Sequence, residues 1–154
     1  MMHNHSLSKL LFIVGTLASL VINGSCNNEQ FDDQIPFVSF PDKIINLKSQ
    51  QYLDLQSIGY VILDDIGVRG VILHKSTFGN DYVAFERNCS YQPNDASALI
   101  EVAASALSMQ DNSCGSTFEF IEGTPTAGPA RNPLRKYRTS LSGDFLTITD
   151  EPIL

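Results

Sequence analysis

Three cysteines, Cys26, Cys89 and Cys114, are the residues whose side chains could do chemistry. A pair of thiols can close a disulfide, hold a soft metal ion or exchange electrons, according to geometry and thiolate character. Cys89 sits in the segment Phe85-Glu86-Arg87-Asn88-Cys89-Ser90-Tyr91, and Cys114-Gly115-Ser116 is a tight turn carrying a thiol. No Cys-x-x-Cys motif is present, so neither thiol has a redox partner close in sequence. His74 is the one histidine beyond the N-terminal segment; alone on a strand, it reads as a surface or cross-strand residue and not as a ligand. No Ser/His/Asp set, glycine-rich phosphate loop or usefully spaced carboxylate pair occurs. Asp64-Asp65 is a turn signal, and Glu119 and Glu122 straddle a strand and are expected on opposite sides of it.

The N-terminus explains Cys26. His3, His5 and Lys9 precede an uncharged apolar-rich run from Leu10 to Ile22. That run is too short to cross a bilayer as a helix, which takes about 20 residues, and suits the h-region of a signal peptide. Asn23-Gly24-Ser25-Cys26 follows, small residues leading to a cysteine. This resembles a bacterial lipobox ending at Cys26, with Asn23 where the usual pattern has Leu. Residues 1–25 are thus expected to be a lipoprotein signal peptide and Cys26 the lipid attachment. His3 and His5 leave with the signal. Residues 26–35, acidic and Asn-rich, read as a flexible tether, and residues 36–154 as one domain. A diacylated, N-acylated cysteine holds a protein stably on a membrane, because two chains suffice.

The elements that position Cys89 and Cys114 are short strands. The chain has 154 residues, 43% hydrophobic and 18% charged, which suits a single folded domain. A net charge of −7 argues against a nucleic-acid partner. The one basic cluster, Arg131, Arg135, Lys136 and Arg138, reads as a solvated edge. Strand runs cover Tyr60 to Leu63, Gly70 to His74, Tyr82 to Phe85, Leu99 to Val102, Ala106 to Met109, Phe118 to Ile121, Arg135 to Ser140 and Phe145 to Thr149. Pro36 to Leu47 adds two short strands or a strand and an extended arm, and Gln51 to Leu55 alternates apolar residues. Phe78-Gly79-Asn80-Asp81 and Ser142-Gly143-Asp144 are hairpin turns. Pro125, Gly128, Pro129 and Pro133 keep the following loop irregular. Many short strands with regular turns predict an all-β antiparallel sandwich or partly open barrel.

Around the two cysteines the chain resembles a Rieske-type domain. That family carries Cys-x-His in a first loop and Cys-x-x-His-Gly-Ser-x-Phe in a second, then a Gly-Pro-Ala loop and Pro-Leu-x-x-Tyr. Ala84 to Cys89 matches the approach to the first loop, and Gly115, Ser116 and Phe118 match the tail of the second. Gly123, Gly128-Pro129-Ala130, Pro133-Leu134 and Tyr137 match the remainder, so the likeness runs from about Phe37 to Asp150. The resemblance implies two ligand-type loops facing each other at one tip, with the proline loop against them.

The departures fall on the ligands. A Rieske cluster takes two cysteines on one iron and two histidines on the other. Carried over singly, the first cysteine is Cys89 and the first histidine becomes Tyr91; the second cysteine becomes Asp111 and the second histidine Cys114. A phenol, with a pKa of about 10, is a poor replacement for imidazole. The resemblance therefore implies a degenerate site with no cofactor, the family's 2Fe-2S cluster being the alternative. With Cys26 lipidated, Cys89 and Cys114 remain as an even pair in an oxidising compartment, where a disulfide is expected, and facing loops place them close enough. Ser116, which bonds a cluster sulfide in the family, is then expected to satisfy its own turn. The functional expectation is a membrane-anchored lipoprotein of the bacterial cell envelope, a binding or structural module stapled by the disulfide and not an enzyme, with the membrane and an unknown protein as partners. Two alternatives stand beside it: an electron-transfer protein with an unconventional iron site, and a thiol-disulfide oxidoreductase.

Overall fold

The computed structural model describes residues 35–77 and 81–153. The expected signal peptide, Cys26, most of the expected tether and the tip at Phe78, Gly79 and Asn80 lie outside the described residues. Among the described residues, no helix is long and apolar enough to cross a membrane.

The centre is a pair of strands that are apolar on both faces. β3 (Val71–Lys75) and β4 (Tyr82–Glu86) run antiparallel, with Ile72 opposite Phe85 and Leu73 opposite Ala84. Because side chains alternate, Val71, Leu73, Tyr82 and Ala84 enter one core while Ile72 and Phe85 enter another. β2 (Tyr60–Leu63) pairs with β3. On the other side, β9 (Lys136–Ser142) joins β4, β10 (Phe145–Ile153) joins β9, and β1 (Lys43–Asn46) joins β10. The order β1-β10-β9-β4-β3-β2 makes a curled half-barrel around the first core, which Ile45, Tyr137, Leu146 and Ile148 fill.

A second antiparallel sheet has the order β5-β6-β7-β8. Its strands are very short: β5 (Ile100–Val102), β6 (Met109–Asp111), β7 (Thr117–Phe118) and β8 (Pro125–Ala127). Ile100, Met109 and Phe118 pack with Ile72, Phe85, Cys89, Ala130 and Leu134 in the second core. The all-β reading is therefore correct.

Five local expectations differ from the structure. Gln51 to Leu55 is not extended: a 3-10 turn (Gln50–Tyr52) leads into the one-turn helix α1 (Leu53–Ser57). Tyr52 and Leu55 are buried while Leu53 is exposed, a spacing of three that suits a helix and not a strand. The strand expected at Ala106 to Met109 starts only at Met109, because Ala106 turns with φ 56°. The strand from Phe118 stops at once, since Glu119 folds back and accepts N–H bonds from Ile121, Glu122 (2.9 Å) and Thr124 (2.8 Å). Glu119 and Glu122 therefore do not flank a strand: Glu119 closes a turn and Glu122 pairs with Lys136 at 2.7 Å. Pro125 opens strand β8 at the sheet edge, where its missing N–H costs nothing.

Candidate functional site

Both cysteine loops are extensions of strands. The first leaves β4 at Glu86, a carboxylate with no exposed surface. Glu86 accepts Val68 N–H (2.7 Å), Arg69 N–H (3.0 Å), Asn88 N–H (3.0 Å) and the Tyr137 hydroxyl (2.8 Å). Four donors offset the cost of burying the carboxylate, and they fix the chain three residues before Cys89. Burial, with Glu86 beside it, pushes the Tyr137 phenol up. Arg69 clamps the far side of the loop through the carbonyls of Asp95 (2.5 Å) and Ala96 (2.6 Å). Cys89 N–H then bonds Ala98 O at 3.1 Å, and Tyr91 N–H points at Cys89 Sγ at 3.4 Å.

The second loop turns between β6 and β7 on the Asp111 carboxylate. Its Oδ1 accepts Ser113 N–H (2.7 Å), Ser113 Oγ–H (2.6 Å) and Cys114 N–H (3.4 Å), an Asx turn. Gly115 takes φ 76° and donates to Asp111 O at 2.9 Å. Ser116 is buried; its N–H approaches Cys114 Sγ at 3.4 Å, and its hydroxyl oxygen lies 3.1 Å from the same sulfur. Ala130 N–H donates to that hydroxyl at 3.1 Å, so the proline loop rests on the second loop. Contact is close enough that a Cβ on Gly128 would stand 2.4 Å from Ser116 Cα. Ser90 Oγ completes the tip by donating to Asn132 O at 2.6 Å.

The loops bring together Cys89, Asp111 and Cys114, with one donor atom from each lying within 4.8 Å of the others. Burial, followed by the Asp111 charge and Cys114, pushes the Cys89 thiol up. Burial works against ionised Asp111, but the Ser113 and Cys114 donors and the Cys89 thiol outweigh it and hold the carboxyl below its usual range. The Asp111 Oδ2 atom is buried with no N–H or O–H donor. Three potential anions thus share one small space. Both cysteines are free thiols in the structure, and the disulfide expected between them is not formed: Cys89 is turned toward Tyr91 N–H and Asp111, Cys114 toward Ser116.

The other singled-out residues fall elsewhere. Tyr91, like Cys114, packs partly buried against the second core. His74 stacks on Phe120, ring centroids 4.0 Å apart, and burial lowers its pKa. Three of the four basic-cluster residues are engaged locally. Lys136 and Arg138 pair with Glu122 and Glu151. Arg135 donates to the carbonyls of Ile35 and Pro36 and lies over the Phe37 ring. Glu86 was not picked out by motif. Its signal is periodicity, since Tyr82, Ala84 and Glu86 share the inward face of β4 and Gly67 and Gly70 stand in the loop that must wrap a buried carboxylate.

This geometry defines a Rieske-type fold. No family model matches the chain, and no curated protein is found similar to it. Among solved structures, it is similar to the plasma-membrane Rieske protein PetC3 of the cyanobacterium Synechocystis PCC 6803, at 18% identity and a TM-score of 0.51, covering 64% of this chain and 94% of that one. A structure of the oxygenase–ferredoxin complex of carbazole 1,9a-dioxygenase aligns at 14% identity and a TM-score of 0.45, over 62% of this chain and 84% of that one.

A Rieske cluster does not fit these residues. It needs a pair of imidazoles on the outer iron, and the corresponding positions hold Tyr91 and Cys114.

Proposed function

We propose that this chain is a membrane-anchored lipoprotein of the bacterial cell envelope whose Rieske-type domain has exchanged its cluster for a Cys89–Cys114 disulfide and serves as a binding or structural module. The observation that carries the reading is the approach of the two sulfurs to within 4.8 Å across facing loops. Small side-chain rotations close that gap to a bond. Closure is a two-electron oxidation by thiol–disulfide exchange. Cys114 attacks a disulfide donor of the export compartment and one donor thiolate leaves. Cys89 then attacks the Cys114 sulfur and expels the mixed-disulfide thiolate, which takes up the Cys89 proton. The bridge would resist reduction, because attack at the more accessible Cys114 sulfur must expel Cys89, a buried thiol of raised pKa and so a poor leaving group. That argues for a staple and against a thiol-disulfide catalyst. The envelope location rests on the lipobox at Cys26 and accords with the plasma-membrane placement of PetC3.

Intact mass and iron analysis of the full chain, exported by a bacterial host, tests the reading. The expected chain begins at a lipidated Cys26, weighs two hydrogens less than its reduced form and contains no iron. Two irons per chain with visible absorbance would replace it with the electron-transfer alternative.

A further inference from the structure

We propose that the reduced chain holds a single thiophilic divalent cation between Cys89, Asp111 and Cys114. The inference concerns the dithiol state alone and stands whether or not export closes the bridge. Three features point to one ion. The donors come from two loops and lie within 4.8 Å of one another. Tetrahedral zinc, with bonds of about 2.0–2.3 Å, sets its ligands a little closer than that, so a small contraction suffices. The set is two sulfurs and one carboxylate, which suits zinc or cadmium and disfavours magnesium or calcium.

The second, independent observation is Asp111 itself. It is 1% exposed, and its Oδ2 atom receives no N–H or O–H donor although Oδ1 is fully engaged. The one group the structure sets against this buried carboxylate besides the Ser113 and Cys114 donors is the weakly donating Cys89 thiol, whose proton a cation bound there would displace. The turn that holds Oδ1 through Ser113 pre-orients the carboxylate at no further cost when an ion arrives. Binding releases the two thiol protons. Water fills the fourth position. The tip of the domain would then be tied by a covalent bond when oxidised and by a metal ion when reduced.

Cadmium alone is the probe. The full chain carrying Cys26→Ser, so that two thiols remain, is reduced with a phosphine under argon and titrated. The expected result is a thiolate-to-cadmium charge-transfer band that saturates at one ion per chain. Asp111→Asn should weaken binding about tenfold or more with an unchanged far-ultraviolet circular dichroism spectrum. Cys114→Ser, at the less buried end of the group, should halve the band. A cadmium-113 resonance in the two-sulfur range supports the same ligand count without a variant. The proposal is overturned by the absence of a saturating band, by more than one ion per chain, or by an affinity that Asp111→Asn leaves unchanged in folded protein.

Discussion

Glu86 and Cys89, three residues apart, show how one loop treats a buried acid in two ways. Glu86 has four donors around its two oxygens. Glu86→Gln turns one of those acceptors into a donor facing donors. A loss of about 3 kcal/mol is expected, read as a lower urea midpoint at unchanged slope. Cys89 has the opposite surroundings: burial and the Asp111 charge favour the neutral thiol. Its folded pKa lies above the unfolded value, so its contribution is complete below the ordinary thiol range of about 8.5 and is lost as pH rises beyond it. The reduced chain should therefore lose stability at alkaline pH, and Cys89→Ala should flatten that decline; an equal decline in the variant would remove Cys89 as the cause. Neither environment is visible as a motif. Cys89, Asp111 and Cys114 became a site on paper only through the ordered likeness to a Rieske domain, because positions 22 and 25 residues beyond Cys89 have no local spacing that announces contact.

At the scale of elements, the long strands were legible and the short turns were not. β2, β3, β4 and β9 follow apolar alternation or continuous apolar runs bounded by turn residues. α1 and the Glu119 turn were missed because a single turn of helix or a carboxylate closing three N–H groups leaves too few residues to show a period. The proline loop is where sequence and packing agree most closely. Gly128 combines φ 87° with backbone contact to Gly115 and Ser116. Gly128→Ala must lift the loop off the second cysteine loop and break the Ala130–Ser116 bond. A cost of about 2–3 kcal/mol is expected, together with faster alkylation of Cys114 in the reduced chain. Gly143→Ala is the control, since φ 60° is kept there but nothing lies within 4 Å; about 1 kcal/mol is expected. Equal costs at the two positions would mean that the close approach at Gly128 has no energetic weight.

At the scale of the whole molecule, the two sheets differ in what holds them. The half-barrel has its own core and strands of up to nine residues. The four-stranded sheet has strands of two or three residues, too short to stand alone, and depends on the second core and on the cysteine loops. Cys89 leaves the large sheet and Cys114 belongs to the small one, so a bond between them ties one to the other. It would close a loop of about 25 residues, worth roughly 3.5 kcal/mol on the chain-entropy argument. For a domain of this size that corresponds to a fall in Tm of roughly 10–20 °C on reduction. The loss should not be uniform. Hydrogen exchange should show protection disappearing first from Ile100–Val102 and Met109–Asp111, while Val71–Lys75 and Tyr82–Glu86 keep theirs. Adding one equivalent of zinc to the reduced chain should restore protection in the same two short strands, because the ion would join the same loops. If reduction instead lowers protection equally in both sheets, the small sheet is not held on by the tip, and the second core alone must bind it.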